Sequence, residues 1–397
     1  MSEPPTQVET LTASEIEADD RERLDKMLNV VEIDVSPDAF QDPQRQAKLE
    51  VELEQFAKKV GPLLGIAGSS RHGKTVLAIM WNAYRKNRSV RLDYLHQRTA
   101  RDRVFLRPVW GDSSQGNRTR AEALPHFGIM DLSGENLDAL VHEEFADYSD
   151  LDAEYSPETQ LYIEKVLWRM AQKIQGLILT ICFPLLWYPS NKEVLDEEHI
   201  PLGLRNAAPD VPMRINQEMM QRVLHVVYLA RARLRGAPTQ PPRNEDELLH
   251  VESDWPRIDI PVFVALTKAD LFPRLVSPLD APDRNWASPA KLLRSHMPEL
   301  YADLHRLTRD FTVQYVHTLD AIEIKGSGPG VRYDAVEMEV KRSDAKLVGG
   351  EALDEFFGRF PWERSWLPAR WFLPRPSDSA WGDKRKPETT NREPGRR

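Results

Sequence analysis

The sequence predicts a three-layer α/β domain with a mostly parallel sheet, and three features carry that expectation. Short apolar runs bounded by glycine or proline, such as PLLGIAG (residues 62–68) and GLILTICF (176–183), suit strands buried on both faces. Longer segments such as KTVLAIMWNAYRKN (74–87) and SPETQLYIEKVLWRMAQKI (156–174) carry apolar residues at helical spacing. The two kinds alternate along the chain, as strands joined by crossover helices do.

Residues 1–42 are acidic and rich in Pro, Ser and Thr, and read as a disordered tail with a short helix near 21–30. PQRQAKLEVELEQFAKKVG (43–61) reads as a helix that stops at its glycine. The run 62–68 is the first strand of the sheet and 74–87 the helix that follows it. RVFLRPVW (103–110) and FGIMDLSG (127–134) are two further strands, and the helix 156–174 leads to the strand 176–183. Periodicity weakens over 190–256, read as an insertion in which INQEMMQRVLHVVYLARARLR (215–235) is a helix flanked by Pro-rich loops. IPVFVALTKADLF (260–272) is strand and turn, 288–311 is helical with Pro298 interrupting it, and TVQYVHT (312–318) is the last strand. The main domain therefore spans 43–325. Residues 326–374 hold the densest aromatic group, Phe356, Phe357, Phe360, Trp362, Trp366, Trp371 and Phe372, which either packs on its own domain or docks a partner. Residues 375–397 read as a disordered basic tail.

Bulk properties narrow the function. The net charge of −9 over 397 residues argues against nucleic acid as the main partner. A single cysteine, Cys182, inside an apolar run, gives no disulfide framework and suits a reducing compartment. The opening MSEPPTQVET has no secretory pattern, and the most apolar stretch, 176–188, falls short of the roughly 20 residues that span a bilayer. A cytoplasmic protein with no transmembrane segment is expected. Histidines are scattered, so no zinc set forms, and G-x-S-x-G is absent. Arg85, Lys86, Arg88, Arg91, Arg98, Arg101, Arg103 and Arg107 form a basic stretch without the aromatic interleaving typical of base stacking, read as a solvated face in preference to a surface for an acidic partner or RNA.

Three short motifs carry chemistry. GSSRHGKT (68–75) fits G-x-x-x-x-G-K-[ST] between a buried strand and a helix, where backbone N–H groups and the helix dipole hold phosphate oxygens. Lys74 would reach the terminal phosphates and Thr75 would offer its hydroxyl to Mg²⁺. In FGIMDLSGE, Asp131 ends a buried strand and is placed to hold the Mg²⁺ shell, with Gly134 letting a backbone N–H approach the γ-phosphate. In FVALTKADLF, Asp270 would accept both donors of a guanine edge while the stem of Lys268 lies along the base.

Taken in this order, G-x-x-x-x-G-K-T, D-x-x-G and T-K-x-D resemble the motifs of the TRAFAC class of P-loop GTPases over residues 62–320. Thr267 in place of Asn, and the large insertion, resemble the bacterial double-GTPase families of conflict systems. The resemblance implies a Ras-like G domain in which Gly68, Ser69, Ser70, Arg71, His72, Gly73, Lys74, Thr75 and Val76 line the phosphates. It further implies a guanine pocket of Thr267, Lys268 and Asp270, with Thr318 and Leu319 in a degenerate final base-contacting loop. The first switch would supply Thr99 to the metal, with Thr119 as the alternative. Two positions depart from the Ras pattern. Glu135 stands where a Gln would orient the attacking water, and a carboxylate there repels the transferring group unless protonated or turned away. Arg71 lies inside the loop, either as an arginine finger supplied in cis, as in guanylate-binding proteins, or as a solvated or Glu135-paired cation. The implied activity is slow hydrolysis of GTP to GDP and phosphate by a nucleotide-dependent switch. The implied partners are GTP and GDP, a protein bound through the switches, insertion or aromatic segment, and a second copy in a nucleotide-dependent dimer. A P-loop ATPase, with Asp270 merely capping a helix, and a non-hydrolysing scaffold are the alternatives.

Overall fold

One sheet of seven strands organises the chain: β1 (Val31–Asp34), β2 (Leu63–Ala67), β3 (Arg103–Val109), β4 (Phe127–Leu132), β5 (Gly176–Cys182), β6 (Val262–Thr267) and β7 (Phe311–Tyr315). This is a computed structural model, which describes residues 31–36, 42–69, 72–85, 103–109, 127–132, 134, 137, 139–141, 157–183, 186, 211–239, 255–268, 288–319, 322–323, 341–342 and 346–360. All of them belong to the unit Met1–Phe360. The spatial order is β1-β3-β4-β2-β5-β6-β7. From β4 to β7 every pairing is parallel, whereas β3 runs antiparallel to β4 and β1 antiparallel to β3. After β2 the chain builds β4 on one side of it and later β5 on the other. That reversal puts a topological switch point at the carboxyl end of β2, the place where ligands of such sheets sit.

The helices are α1 (Pro43–Val60), α2 (Lys74–Arg85), α3 (Pro157–Lys173), α4 (Val211–Leu234), α5 (Pro289–His296), α6 (Pro298–Leu307) and α7 (Gly350–Gly358). Local chemistry sets their ends. The Asp42 carboxylate caps α1 by accepting from the Gln44 amide at 2.8 Å, and Gly61 terminates it with φ 130°. Pro298 cannot continue α5 and instead opens α6, so the expected break is present.

Strand alternation divides the core. Leu63, Met130, Leu177, Val262, Val264 and Leu266 face one way and pack with Phe56 of α1, Val166 of α3, Val223 of α4, Leu293 of α5 and Leu304 of α6. The intervening residues face α2 and α7, giving the three layers expected. Four short strands, β8 (His317–Leu319), β9 (Ile322–Glu323), β10 (Lys341–Arg342) and β11 (Lys346–Val348), form two antiparallel ladders, β8 with β11 and β9 with β10.

Four sequence expectations need correction. The acidic segment 1–42 does not end the ordered fold at 42, because Val31–Asp34 forms β1, with Ile33 and Val35 buried. The domain does not stop at 325, because α7, from the aromatic-rich segment, completes the core on the α2 face. There Phe357 packs on Trp81 (5.9 Å between ring centroids), Phe127 (6.0 Å) and Phe263 (6.1 Å). The helix of the supposed insertion, α4, is a core crossover helix between β5 and β6, with Met219, Met220, Val223, Leu224, Val226 and Val227 buried. The last strand of the sheet ends at Tyr315, because residues 317–319 turn away to pair with β11. The expected helix near 21–30 and tail 375–397 lie outside the described residues. Among the described residues, no helix is long and apolar enough to cross a membrane.

Arg85, read from sequence as solvated, is buried instead. Its guanidinium lies over the Trp81 ring at 4.8 Å and the Phe127 ring at 4.7 Å, and its Nε donates to Asp354 of α7 at 2.6 Å. The Trp81 indole N–H donates to the same carboxylate oxygen at 2.8 Å. Removing one member of such a pair leaves a buried charge. We therefore expect Asp354→Ala to destabilise the domain by about 3–5 kcal/mol in urea unfolding, against under about 1 kcal/mol for an exposed pair. Replacing Arg85 and Asp354 together by Met and Leu should recover much of that loss.

Candidate functional site

The loop after β2 is held by residues of β4, β5, β6 and α4. Thr180 of β5 donates its hydroxyl to Ala67 at 3.2 Å, and a Cβ on Gly68 would fall 2.0 Å from that hydroxyl oxygen, so only glycine fits there. Thr267, at the end of β6, donates to the His72 carbonyl at 2.8 Å, with the Ile181 carbonyl a longer second acceptor at 3.3 Å. Gly73 takes φ +77°, a left-handed conformation that side chains disfavour, and turns the chain into α2. The first helical bond runs from Leu77 N to Gly73 O, so the positive end of the α2 dipole points into the loop.

His72 is pinned within the loop rather than aimed outward. Its Nδ1 lies 3.2 Å from the Thr180 carbonyl, which can only accept, and its Nε2 lies 3.1 Å from the Asn216 amide nitrogen of α4, which can only donate. These partners fix the neutral tautomer with the proton on Nδ1. Burial, and then the nearby Lys74 charge, push the imidazole pKa down to about 3, against the opposing effect of the Thr180 hydrogen bond. Lys74 is itself buried, and its ammonium donates to the Gly68 carbonyl at 2.8 Å and the Ser69 carbonyl at 2.9 Å. The lysine thus folds back across the mouth of its own loop.

Thr75 links the loop to the neighbouring strand. Its hydroxyl donates to Asp131 Oδ2 at 2.7 Å, and both groups are buried. By alternation, Asp131 faces α2 together with Phe127 and Ile129. Its other oxygen, Oδ1, is buried with no hydrogen-bond partner among the described residues. Arg107 of β3 brings its Nε to 3.7 Å from Asp131 Oδ2, from a side chain only 4% exposed. It too was read from sequence as solvated, and that reading is corrected. Among the described residues, no group of three or more His, Cys, Asp or Glu gathers for a metal. A hydroxyl and a carboxylate with one unpartnered oxygen instead fit Mg²⁺, which keeps several waters and takes the rest of its shell from phosphates.

Of the other anticipated residues, Thr267 braces the loop through its hydroxyl, and Lys268 follows with φ 57°. Gly134 is buried and Val76 is half-buried in the first turn of α2. Thr318 and Leu319 pair with Leu347 and Lys346 in a β-ladder rather than forming a loop. Ser70, Arg71, Thr99, Thr119, Glu135 and Asp270 lie outside the described residues. Sequence reasoning missed Thr180, Asn216 and the burial of Arg107. A lone hydroxyl in the apolar run GLILTIC was the one available signal, because a polar side chain inside a buried strand needs a nearby partner.

The pinned imidazole has a pH signature. Between pH 6.5 and about 3 the unfolded chain takes up a proton at His72 that the folded chain refuses. Its contribution to stability is therefore complete above pH 6.5 and declines on acidification, by up to about 1.4 kcal/mol per pH unit. In urea titrations at pH 7, 6, 5 and 4, His72→Gln should remove that slope, so the gap between wild type and variant shrinks with acid. Parallel profiles would mean that the imidazole titrates freely.

No protein-family model matches the chain, and no curated protein matches it.

Proposed function

We propose that the chain binds a nucleoside triphosphate with Mg²⁺ at the carboxyl end of β2, and that it is a GTP-binding switch that hydrolyses GTP slowly. The observation that carries this reading is the buried 2.7 Å hydrogen bond from Thr75 to Asp131, which joins the end of a glycine loop to the end of the adjacent parallel strand. It brings together two residues 56 positions apart that the motifs assign to one metal. The change of direction in strand order at β2, flanked by β4 and β5, and the α2 dipole aimed into the loop support the same site. The fold is compatible with a Ras-like G domain to which β1 and α1 are added.

In this reading the loop amides bind the phosphates, and Lys74 exchanges its bonds to Gly68 and Ser69 for phosphate oxygens. Thr75 and Asp131 would hold Mg²⁺, whose charge would neutralise the β- and γ-oxygens. Water attacks the γ-phosphorus, the bond to the β,γ-bridging oxygen breaks, and GDP and phosphate leave. Arg71 would stabilise charge on the transferring group, and Glu135 accounts for slow turnover. The T-K-x-D motif supports guanine over adenine through Asp270. The switch segments, including Thr99, would be ordered by the γ-phosphate and released on hydrolysis. An acidic chain with one buried cysteine suits a cytoplasmic setting, with a protein partner or a second copy reading the switches.

Isothermal titration with GTP, GDP and ATP analogues in Mg²⁺ tests this, with phosphate release as the readout of turnover. GTP analogue should bind at least about tenfold more tightly than ATP analogue, a preference that Asp270→Ala removes. Lys74→Ala should abolish binding of both. Equal affinities untouched by Asp270→Ala would make the protein an ATP binder, binding without phosphate release would make it a scaffold, and failure of all three ligands would end the nucleotide reading.

A further inference from the structure

Asp131 is paired with the wrong kind of group for a carboxylate awaiting a metal. Arg107 lies on the α2 face of β3, opposite Ile129 and one step deeper in the sheet than Phe105, which is opposite Asp131. Its guanidinium lies over the Phe105 ring at 5.1 Å and reaches up towards the Asp131 carboxylate. An arginine keeps its charge at any ordinary pH, so this is a fixed cation beside the carboxylate. Yet the two are not hydrogen-bonded. At 3.7 Å, Nε makes only an ionic contact, and Arg107 Nε, Arg107 Nη1 and Asp131 Oδ1 are all buried without a hydrogen-bond partner among the described residues. Buried polar atoms of this kind ask for an explanation.

We propose that Arg107 is a resident counter-cation of Asp131, which keeps the carboxylate from free divalent metal and releases it to metal that arrives with nucleotide phosphates. The proposal rests on the reading of Asp131 as the metal carboxylate. A divalent ion alone at Asp131 meets a buried positive charge in a water-poor setting, where repulsion is weakly screened. Phosphate oxygens reverse that balance, because their negative charge offsets both the metal and the guanidinium. Metal and nucleotide then bind with positive coupling, each strengthening the other by the same factor. The loose contact suits this role, since a close bidentate pair would be harder to open. Arg107 acts through Asp131 and is a positioning residue.

The test uses the full-length protein and Mn²⁺ as the probe, read by electron paramagnetic resonance with and without a non-hydrolysable GTP analogue. Arg107→Met and Arg107→Gln should tighten Mn²⁺ binding to the nucleotide-free protein by about tenfold or more, and reduce metal–nucleotide coupling by a similar factor. Arg107→Lys should retain the weak binding of the wild type, and Asp131→Asn should abolish the gain in either neutral background. A merely structural arginine would give losses, never tighter metal binding. Unchanged or weaker Mn²⁺ affinity in a folded neutral variant overturns the proposal, as does failure of both neutral variants to fold. If the analogue does not bind wild type, the nucleotide reading fails, while Mn²⁺ affinity without nucleotide still reports on Arg107.

Discussion

The rest of the structure depends on where a loop of main-chain polar groups can be buried. The segment after β2 lies at the carboxyl end of the sheet with Ser69, His72, Lys74 and Thr75 each less than a tenth exposed. Such a loop folds only if neighbouring strands supply partners for its carbonyls and side chains. Thr180 from β5, Thr267 from β6, Asp131 from β4 and Asn216 from α4 do so. Four elements far apart in sequence thus meet on eight residues, and the geometry there is set by the whole sheet.

The two faces of the sheet carry different loads. The face covered by α1, α3, α4, α5 and α6 is aliphatic and broad, while the α2 face is narrower and rich in aromatic rings. On that second face, Trp81 and Arg85 in the last turns of α2 are anchored to α7, and Lys74 and Thr75 in its first turn form the loop site. A single helix of 12 residues therefore runs from the C-terminal anchor to the proposed phosphate site. This ties the order of α7 to the position of Thr75.

Most of the layered fold was legible because its signals are local. The strands β2, β5 and β6 are unbroken apolar runs, the helices α1 to α4 repeat a period within their own length, Pro298 marks the break between α5 and α6, and the G-K-T end of the loop is contiguous. What escaped detection depends on distant partners. Arg85 reads as a solvent-facing charge because Lys86 and Arg88 follow it, whereas its partner Asp354 stands 269 positions away; Arg107 reads so as the last of a basic series, although it sits in the apolar run RVFLRPVW. VEID at 31–34 reads as part of an acidic tail, and only its antiparallel pairing with β3 makes it a strand. α7 is nine residues long, too short for periodicity to separate it from an aromatic docking segment. The bond from the Thr267 hydroxyl to the His72 carbonyl joins residues 195 positions apart, so the T-K-x-D spelling gives no sign of it.

The central claim is the proposal that the motif at 68–75 binds an anion rather than being a turn that shares its spelling. Hydrogen–deuterium exchange measured peptide by peptide, with and without Mg²⁺ and a saturating GTP analogue, addresses it most directly. The account predicts that amides of the loop and the first turn of α2 slow strongly on ligand addition, together with the end of β4 at Asp131. Exchange in that segment that is unchanged by the analogue would contradict it.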